Sequence, residues 1–426
     1  MLTSADNELV TRVGPGTPMG DVMRRYWMPA LLAEELPEPD GAPVRVRLLG
    51  EDLIAYRDSQ GRIGLVAQNC PHRGASLFFG RNEESGLRCV YHGWKFDVTG
   101  QCLDMPNEPP ESNFKHKIRV AAYPCVEKGG VIWTYMGPAG RRPPLPNYEW
   151  MRLADQGRGY ISKTYEDCNY LQGIEGGVDS SHSSFLHRSF DRVDKELGIV
   201  SYRSRATAPR LEILYTDYGY TYASIRNLAD ENVNFIRVYQ FIMPFQQQRA
   251  GGIGRSTLHR DVVQGHIWVP IDDKSMYIYN LIYPKDGEPL SREHFDQEET
   301  NAGRGPDDLI PGSYKLKRNS SNDWMIDREM QRTVNYTGIK GVNTQDMAIQ
   351  ETMGAVYDRT REHLGSADLA VIATRRLLLQ AIKDVQSGKD PIGVNGEADA
   401  VRPAEEVLPV DVRWPDYFKR ELVATN

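Results

Sequence analysis

Two short boxes, Cys70-Pro71-His72-Arg73-Gly74 and Cys89-Val90-Tyr91-His92-Gly93-Trp94, constrain this chain more than any other feature. Together they read C-x-H-x16-C-x2-H, so each of two loops offers one thiol and one imidazole. A group held by both boxes must be clamped between the loops, and the surrounding chain must bring those loops face to face. That chain supplies short apolar runs with glycine-bearing turns between Val44 and Met136: VRVRLLG, EDLIAYRD, GRIGLVAQ and GGVIWTYMG. Regularly spaced short strands of this kind predict a small all-β module. The proline-rich stretch Gly137–Pro146 predicts the linker that closes it.

Two thiolates and two imidazoles suit a tetrahedral zinc ion. They also suit a [2Fe–2S] cluster of the Rieske type, with two thiolates on one iron and two imidazoles on the other. A zinc knuckle usually groups its thiolates in one turn, whereas here each loop gives one ligand of each kind, which favours the cluster. Pro71 stiffens the first loop, and Gly74 and Gly93 permit tight turns and close backbone approach to the sulfides. The other cysteines of the five, Cys102, Cys125 and Cys168, have no histidine at ligand spacing and read as small buried hydrophobes. Five cysteines are too few for a disulfide scaffold; spaced as these are, they point to metal or catalysis.

The length of 426 residues gives a prior of two or three domains. Lys and Arg total 51 against 58 Asp and Glu, a net charge of −7, which argues against a nucleic-acid partner. No apolar run reaches the roughly 18 residues of a membrane span, and the N-terminus lacks the pattern of a signal peptide. A cytoplasmic, soluble protein with no membrane partner is expected. Helical stretches around Ser4–Arg12 and Pro18–Tyr26 suggest an N-terminal helical segment over 1–40, then the β module over 41–140. A larger α+β domain follows over 141–426. It has a helical pattern around Asn169–Phe190, alternating strands in YGYTYASIR and VNFIRVYQFIM, a polar loop near Gly303–Asp323, and a helix over Ser366–Ser387 that stops before Gly388.

A second constellation lies in EGGVDSSHSSFLHRSF. On a regular helix Asp179 and His182 lie about 60° apart, but His182 and His187 lie about 140° apart. Both histidines reach one metal only if the helix is distorted or ends there, and the glycines and serines of this stretch make it a poor regular helix. Two histidines and a carboxylate form the facial triad of non-heme Fe(II) oxygenases. The carboxylate is Asp179 or the distant Asp346 of GVNTQDMAIQETMG, which spacing alone reads more readily as a helix cap or first-turn acid. Spacing leaves this open.

A cluster motif followed by D-x2-H-x4-H resembles the α subunits of Rieske-type non-heme iron ring-hydroxylating oxygenases. The likeness spans nearly the whole chain. GPGTPMGDVMRRYWMPALL, CPHRG, CVYHGW, EGGVDSSHSSFLH, NTQDMAIQETMG and YDRTREHLG look most similar to the phthalate dioxygenase branch, which is built of α subunits alone. The resemblance implies a Rieske [2Fe–2S] cluster, with Cys70 and Cys89 on one iron and His72 and His92 on the other. It implies a mononuclear Fe(II) held by His182, His187 and Asp346. Asp179 would then be a catalytic bridge, accepting hydrogen bonds from an iron-ligand histidine and from a cluster histidine of the neighbouring subunit. A head-to-tail homotrimer, or a stacked homohexamer, is therefore implied, because cluster and iron of one chain would lie too far apart for useful electron transfer. So is a helix-grip catalytic domain, a curved antiparallel sheet around a long C-terminal helix, for which Ser366–Ser387 is the candidate.

Period-two alternation puts Tyr218, Tyr220, Tyr222, Ser224 and Arg226 on one face, and Arg237, Tyr239, Phe241 and Met243 on another. Aromatics with an occasional arginine suit a flat anionic aromatic acid, since arginine grips carboxylate through a bidentate fork. Arg226, Arg210 and Arg249 are the candidate carboxylate readers, and Ser180, beside Asp179, is a candidate pocket residue. Three functions follow: a dioxygenase that cis-dihydroxylates a phthalate-type substrate with O2; a monooxygenase that demethylates or hydroxylates a substituted benzoate; or a Rieske electron carrier or ligand-binding protein without iron catalysis. No nucleotide-binding glycine motif is evident, so electrons from NAD(P)H require a separate reductase, carrying flavin and an iron–sulfur cluster if it follows the family.

Overall fold

A computed structural model describes residues 1–190, 201–251 and 261–424. The chain forms two compact units, one of Val13–Leu145 and the other of Met1–Arg12 with Pro146–Asn426. The N-terminal stretch expected as one helical segment over 1–40 therefore divides. Helix Ser4–Thr11 belongs to the larger unit, where the Tyr170 hydroxyl donates to Val10 O at 2.6 Å and Asn169 Nδ2 to Thr11 O at 2.9 Å. Trp27–Leu32, by contrast, is a fully buried strand paired antiparallel with Val131–Tyr135 in the smaller unit. A short apolar run such as WMPALL has no polar position to reveal its period, so sequence pattern alone does not separate helix from strand there.

The smaller unit holds three antiparallel sheets. One pairs Trp27–Leu32, Val131–Tyr135 and Cys125–Lys128; a second pairs Val44–Leu48, Glu51–Arg57, Ile63–Ala67 and Ala122–Tyr123. The third is built of very short strands, Arg81–Glu83, Gly86–Arg88, Lys95–Phe96 and Cys102–Asp104. Cys70, Cys89 and Cys102 are buried with Ile54, Tyr56, Leu87, Trp94 and Phe96 in one apolar cluster. Cys168 is also buried, whereas Cys125 is only half-buried.

The larger unit is built on one antiparallel sheet running in the order Tyr160–Glu166, Met276–Pro284, Val262–Pro270, Gln246–Gly251, Val233–Ile242, Gly219–Leu228 and Arg210–Tyr215, with Ala404–Pro409 paired to Val233–Ile242. Nine of the ten residues of Gly219–Leu228 are buried, so its alternation separates two covered faces rather than core from solvent. Ala223 and Ile225 pack with Trp414 and Phe418 on one side. On the other, the Tyr220 hydroxyl lies 2.7 Å from Thr374 Oγ1 and donates to Ala370 O at 3.1 Å, joining the sheet to helix Leu369–Gln386. This is the long C-terminal helix expected over Ser366–Ser387; it buries Val371, Leu378 and Ile382, each worth about 1.5–3 kcal/mol. The polar stretch 303–323 carries only short turns, after Gly303 ends helix Arg292–Ala302 at φ +82°. No helix among the described residues is long and apolar enough to cross a membrane.

Helix Tyr170–Val178 positions the second constellation. Its Glu175 accepts from Arg359 at 2.8 Å and from Arg375 at 2.6 Å, which locks the helix to its neighbours through buried charge. The helix also packs unusually close to the sheet. A Cβ on Gly177 would come within 2.2 Å of the Trp268 ring, so only glycine fits.

Candidate metal centres

The two C-H boxes fold into matching loops. In the first, the Gly74 N–H donates to Cys70 O at 2.9 Å and the Cys70 N–H to Ala75 O at 2.8 Å; in the second, Gly93 donates to Cys89 O at 2.9 Å and Cys89 to Trp94 O at 2.8 Å. Gly74 at φ +76° and Gly93 at φ +79° turn the chain at the same point in each. Side chains brace both loops from outside: Asn69 Nδ2 donates to Gly74 O at 2.8 Å and Arg88 to Gly93 O at 2.7 Å. His72 stacks on Trp94 with centroids 4.3 Å apart and meets His92 edge-on at 4.4 Å.

Donor types segregate in this site. Cys70 and Cys89 are 2% and 3% exposed, while both imidazoles are half-exposed at the rim. A single tetrahedral ion needs four mixed donors around one point. A diiron cluster with one thiolate-bound and one imidazole-bound iron needs this segregation. The residues present fit the cluster. Burial and the charge of Cys89 push the free Cys70 thiol up to about 11, against the opposing backbone hydrogen bond from His72; a bound cation reverses that preference.

In the larger unit the expected helical stretch Asn169–Phe190 stops early. The helix ends at Val178, Asp179 takes an extended conformation as its C-cap, and His182 opens a short 3-10 turn over His182–Ser184. This break removes the angular separation that a regular helix would impose. One donor atom each from His182, His187 and Asp346 fall within 4.8 Å of one another. His187 Nε2 lies 3.1 Å and His182 Nε2 3.5 Å from Asp346 Oδ1, and the two rings are nearly perpendicular at 83°. Asp346 sits inside helix Val342–Thr352, past its first turn, and Gly341 is the cap, so Asp346 does not serve as the cap.

Burial opposes charge here, yet the facing groups prevail. Asp346 is held below the ordinary carboxylate value by His187 and His182, and His182 is raised by Asp179 and Asp346. Two histidine nitrogens and one carboxylate oxygen gathered on one side leave the other side open to a cavity, which fits a facial iron site. Asp179 lies behind His182: its Oδ2 is 3.3 Å from His182 Nδ1, while Oδ1 accepts from the Ser181 N–H at 2.6 Å and hydroxyl at 2.8 Å.

The cavity measures about 770 Å³, within the range of small-molecule sites. Its walls include the His182–His187–Asp346 cluster together with Ser180, Tyr239, Arg249 and His266. Ser180 Oγ donates to Ser224 Oγ at 2.7 Å. Arg249 lies opposite Tyr239 in strand register, and burial, then Arg237 and Arg304, lower its pKa to about 10. The other two arginine expectations are corrected. Arg210 is exposed at a strand start and pairs with Glu212, outside the cavity. Arg226 is buried but spent on the backbone, donating to Ser180 O at 2.7 Å, Ala206 O at 2.6 Å and Ser184 Oγ at 3.0 Å; it clamps the His182 turn rather than lining the cavity. Strand periodicity placed Arg226 on the correct face but could not tell which end of that face the cavity reaches.

Several site residues had no sequence signal. Gln345 Oε1 lies 2.8 Å from His187 Nδ1. A partly buried circuit runs from Asn343 Nδ2, 3.5 Å from Asp346 Oδ2, to His266 Nε2 at 3.5 Å, then from His266 Nδ1 to Asn280 Oδ1 at 2.9 Å. It continues from Asn280 Nδ2 to Ser162 Oγ at 3.2 Å, from Ser162 to Glu299 at 2.5 Å, and returns through Arg304, which donates to Glu299 at 2.8 Å and to Asn343 Oδ1. Polar residues scattered over three strands, two helices and the loop that follows one of them converge only once the sheet is built.

Comparison with known proteins gives two family matches. Residues 26–124 match the Rieske [2Fe-2S] domain, and residues 134–421 match the family described as LigXa C-terminal domain like. The chain is 38% identical over 437 aligned positions to the phthalate 4,5-dioxygenase oxygenase subunit of Pseudomonas putida, covering all of this chain and 97% of that protein. It is 36% identical to the 3-chlorobenzoate-3,4-dioxygenase oxygenase subunit of Comamonas testosteroni, covering 99% of each. The fold is similar to that of dicamba monooxygenase bound to dicamba, with a TM-score of 0.59 at 18% identity over 86% of this chain and 99% of that one.

Proposed function

The chain belongs to the Rieske-type non-heme iron oxygenases and carries their Rieske [2Fe–2S] cluster and mononuclear iron, and from that premise we propose that it is an oxygenase component that cis-dihydroxylates an aromatic carboxylate of the phthalate type. The observation that carries this reading is the sharing of one cavity by the His182–His187–Asp346 cluster and the cationic Arg249. A ring bearing a carboxylate, gripped by Arg249, would present a neighbouring ring edge to the cluster of ligands.

In this reading Cys70 and Cys89 hold one cluster iron, His72 and His92 the other, and His182, His187 and Asp346 hold the mononuclear iron. When bound, that iron supplies the binding and reductive activation of O2, with electrons arriving from the Rieske cluster. Tyr239 and Ser180 shape the substrate wall, and Arg249 orients the ring. Arg226 holds the His182 turn in place through Ser180 O. Asp179 orients His182 and accepts a second hydrogen bond from a cluster histidine of a neighbouring subunit in a homotrimer or stacked homohexamer. Its side chain remains about one-fifth exposed, which leaves room for that second donor. Dihydroxylation takes up two electrons and two protons as both atoms of O2 add across one ring bond. The electrons come from NAD(P)H through a separate flavin- and iron–sulfur-containing reductase.

The test is substrate-stimulated NADH oxidation with such a reductase across benzoates and phthalates, with 18O2 labelling of the product. Two labelled oxygens in a cis-diol support the reading; one labelled oxygen, or formaldehyde from a methoxybenzoate, would make the enzyme a monooxygenase. Arg249→Leu should raise KM for a carboxylated substrate by about 10- to 100-fold, the loss of one charge-assisted interaction of about 1.5–3 kcal/mol. An iron-loaded protein that no aromatic acid stimulates would overturn the proposal.

A further inference from the structure

Gln345 is tied to the candidate iron site by geometry that fixes its orientation. It lies one residue before Asp346 on helix Val342–Thr352 and is 5% exposed. Its Nε2 donates to Ile339 O at 2.9 Å, and because a carbonyl only accepts, the amide cannot be turned around. Oε1 therefore faces His187 Nδ1 at 2.8 Å as an acceptor, and His187 carries its proton on Nδ1. Nε2 is left facing Asp346 Oδ1, 3.1 Å away, and offers a lone pair there once a metal ion replaces any proton between them.

The start of the helix leaves Gln345 little freedom. Gly341, at φ +93°, approaches Gly303 so closely that a Cβ would come within 2.4 Å of the Gly303 Cα. Thr344 Oγ1 donates to Gly303 O at 3.1 Å. Residues 344, 345 and 346 are thus each fixed by a different partner, and their spacing aims Gln345 and Asp346 at opposite nitrogens of the same imidazole.

His182 is backed differently, by the carboxylate of Asp179 at 3.3 Å. An Fe(II) ion with Asp346 bound and Asp179 behind it sums to zero charge in a partly buried site. A carboxylate at 345 would leave one uncompensated negative charge there, which burial penalises.

We infer that Gln345 is a positioning residue of the iron site, whose amide oxygen sets the tautomer and ring angle of His187 and whose neutrality leaves Asp179 as the sole anion backing the two imidazoles among the described residues. The inference rests on the reading of His182, His187 and Asp346 as iron ligands. Loss of such an outer hydrogen bond typically weakens metal binding 10- to 100-fold.

The experiment titrates ferrous iron, in competition with a chelator, into full-length protein that keeps its cluster but has been stripped of mononuclear iron. Gln345→Leu should bind iron about 10- to 100-fold more weakly than wild type. Gln345→Glu restores the acceptor while losing the bond to Ile339, so it should bind at least as tightly as wild type, and its mononuclear iron should oxidise at a lower potential. Equal weakening in both variants would mean that Gln345 merely supports the Ile339 turn, and wild-type binding in both would also overturn the inference. Should Gln345→Leu not fold, 15N-histidine NMR of the zinc-loaded wild type decides: a far-downfield Nδ1–H for His187 is expected, and an Nε2–H there would overturn it. A wild type that takes up no ferrous iron would instead refute the iron-site reading itself.

Discussion

Asp179 Oδ2 lies 3.3 Å from His182 Nδ1, on the far side of the ring from the Nε2 that faces Asp346 at 3.5 Å. A carboxylate so placed acts on the imidazole and not on an ion beyond it. Asp179→Asn is nearly isosteric but loses the charge, and its NH2 end cannot accept. The variant should keep its cluster and most of its mononuclear iron. Cluster reduction by the reductase should stay fast, while product formation in a single turnover should collapse by roughly 100-fold or more. Metal analysis with stopped-flow reduction checks this; an iron-free Asp179→Asn protein would contradict the assignment of Asp179 as a bridge.

Asp346→Ala and His182→Ala each remove one donor from a group whose atoms lie within 4.8 Å of one another. The expected iron content falls from three to two per chain, with the visible absorption of the cluster retained. Among the described residues the hydrogen bonds that brace the cluster loops come from Val13–Leu145, one of the two compact units, so the loops should not respond to either change. Loss of the cluster absorption along with the third iron would show that the two sites are not independent.

Local patterns carried the Cys and His pairs of the candidate centres, because spacing within one loop is a short-range property: Cys70 with His72, Cys89 with His92, and His182 with His187 each arise from a single turn. The choice between Asp179 and Asp346 was not local. It depends on helix Val342–Thr352 approaching the His182 turn, with Gly176 small enough to admit Gln350. The strands in YGYTYASIR and VNFIRVYQFIM were legible as strands, but with both faces covered, periodicity could not say which arginines meet the cavity, where Arg237 and Arg249 do and Arg226 does not. Helix Ser4–Thr11 was legible to within one residue of the expected Ser4–Arg12, yet its membership of the larger unit rests on the Tyr170 and Asn169 side chains, some 160 residues away. The Asn343–His266–Asn280–Ser162–Glu299–Arg304 circuit was invisible for the same reason.

His72→Cys replaces a neutral, half-exposed imidazole that stacks on Trp94 with a thiolate. If His72 binds the outer iron, the cluster gains a negative charge and should shift toward the all-thiolate type, lowering its potential by on the order of several hundred mV. EPR and redox titration of the cluster-bearing variant check this. A cluster with unchanged potential and g-values would remove His72 from the ligand set.

Glu166 ends strand Tyr160–Glu166 with no exposed surface, and it shares the cavity wall. Its Oε1 accepts from the Cys168 thiol at 3.4 Å, and its Oε2 has no hydrogen-bond partner among the described residues. Burial first, then the charges of Glu351 and Asp346, raise its pKa well above the ordinary carboxylate value. Below the unfolded-state value of about 4.3 the group is protonated in both states and contributes nothing to the pH dependence. As pH rises past that value the unfolded chain releases the proton while the folded chain keeps it, so the folded state loses about 1.4 kcal/mol per pH unit until its own raised pKa is reached. Glu166→Gln keeps the shape and cannot ionise in either state. The variant should therefore match wild type in thermal stability near pH 4 and exceed it increasingly as pH rises above that, read by calorimetry on iron-loaded protein. A stability difference that does not change with pH, or one that favours wild type more as pH rises, would mean that Glu166 is ionised in the folded protein.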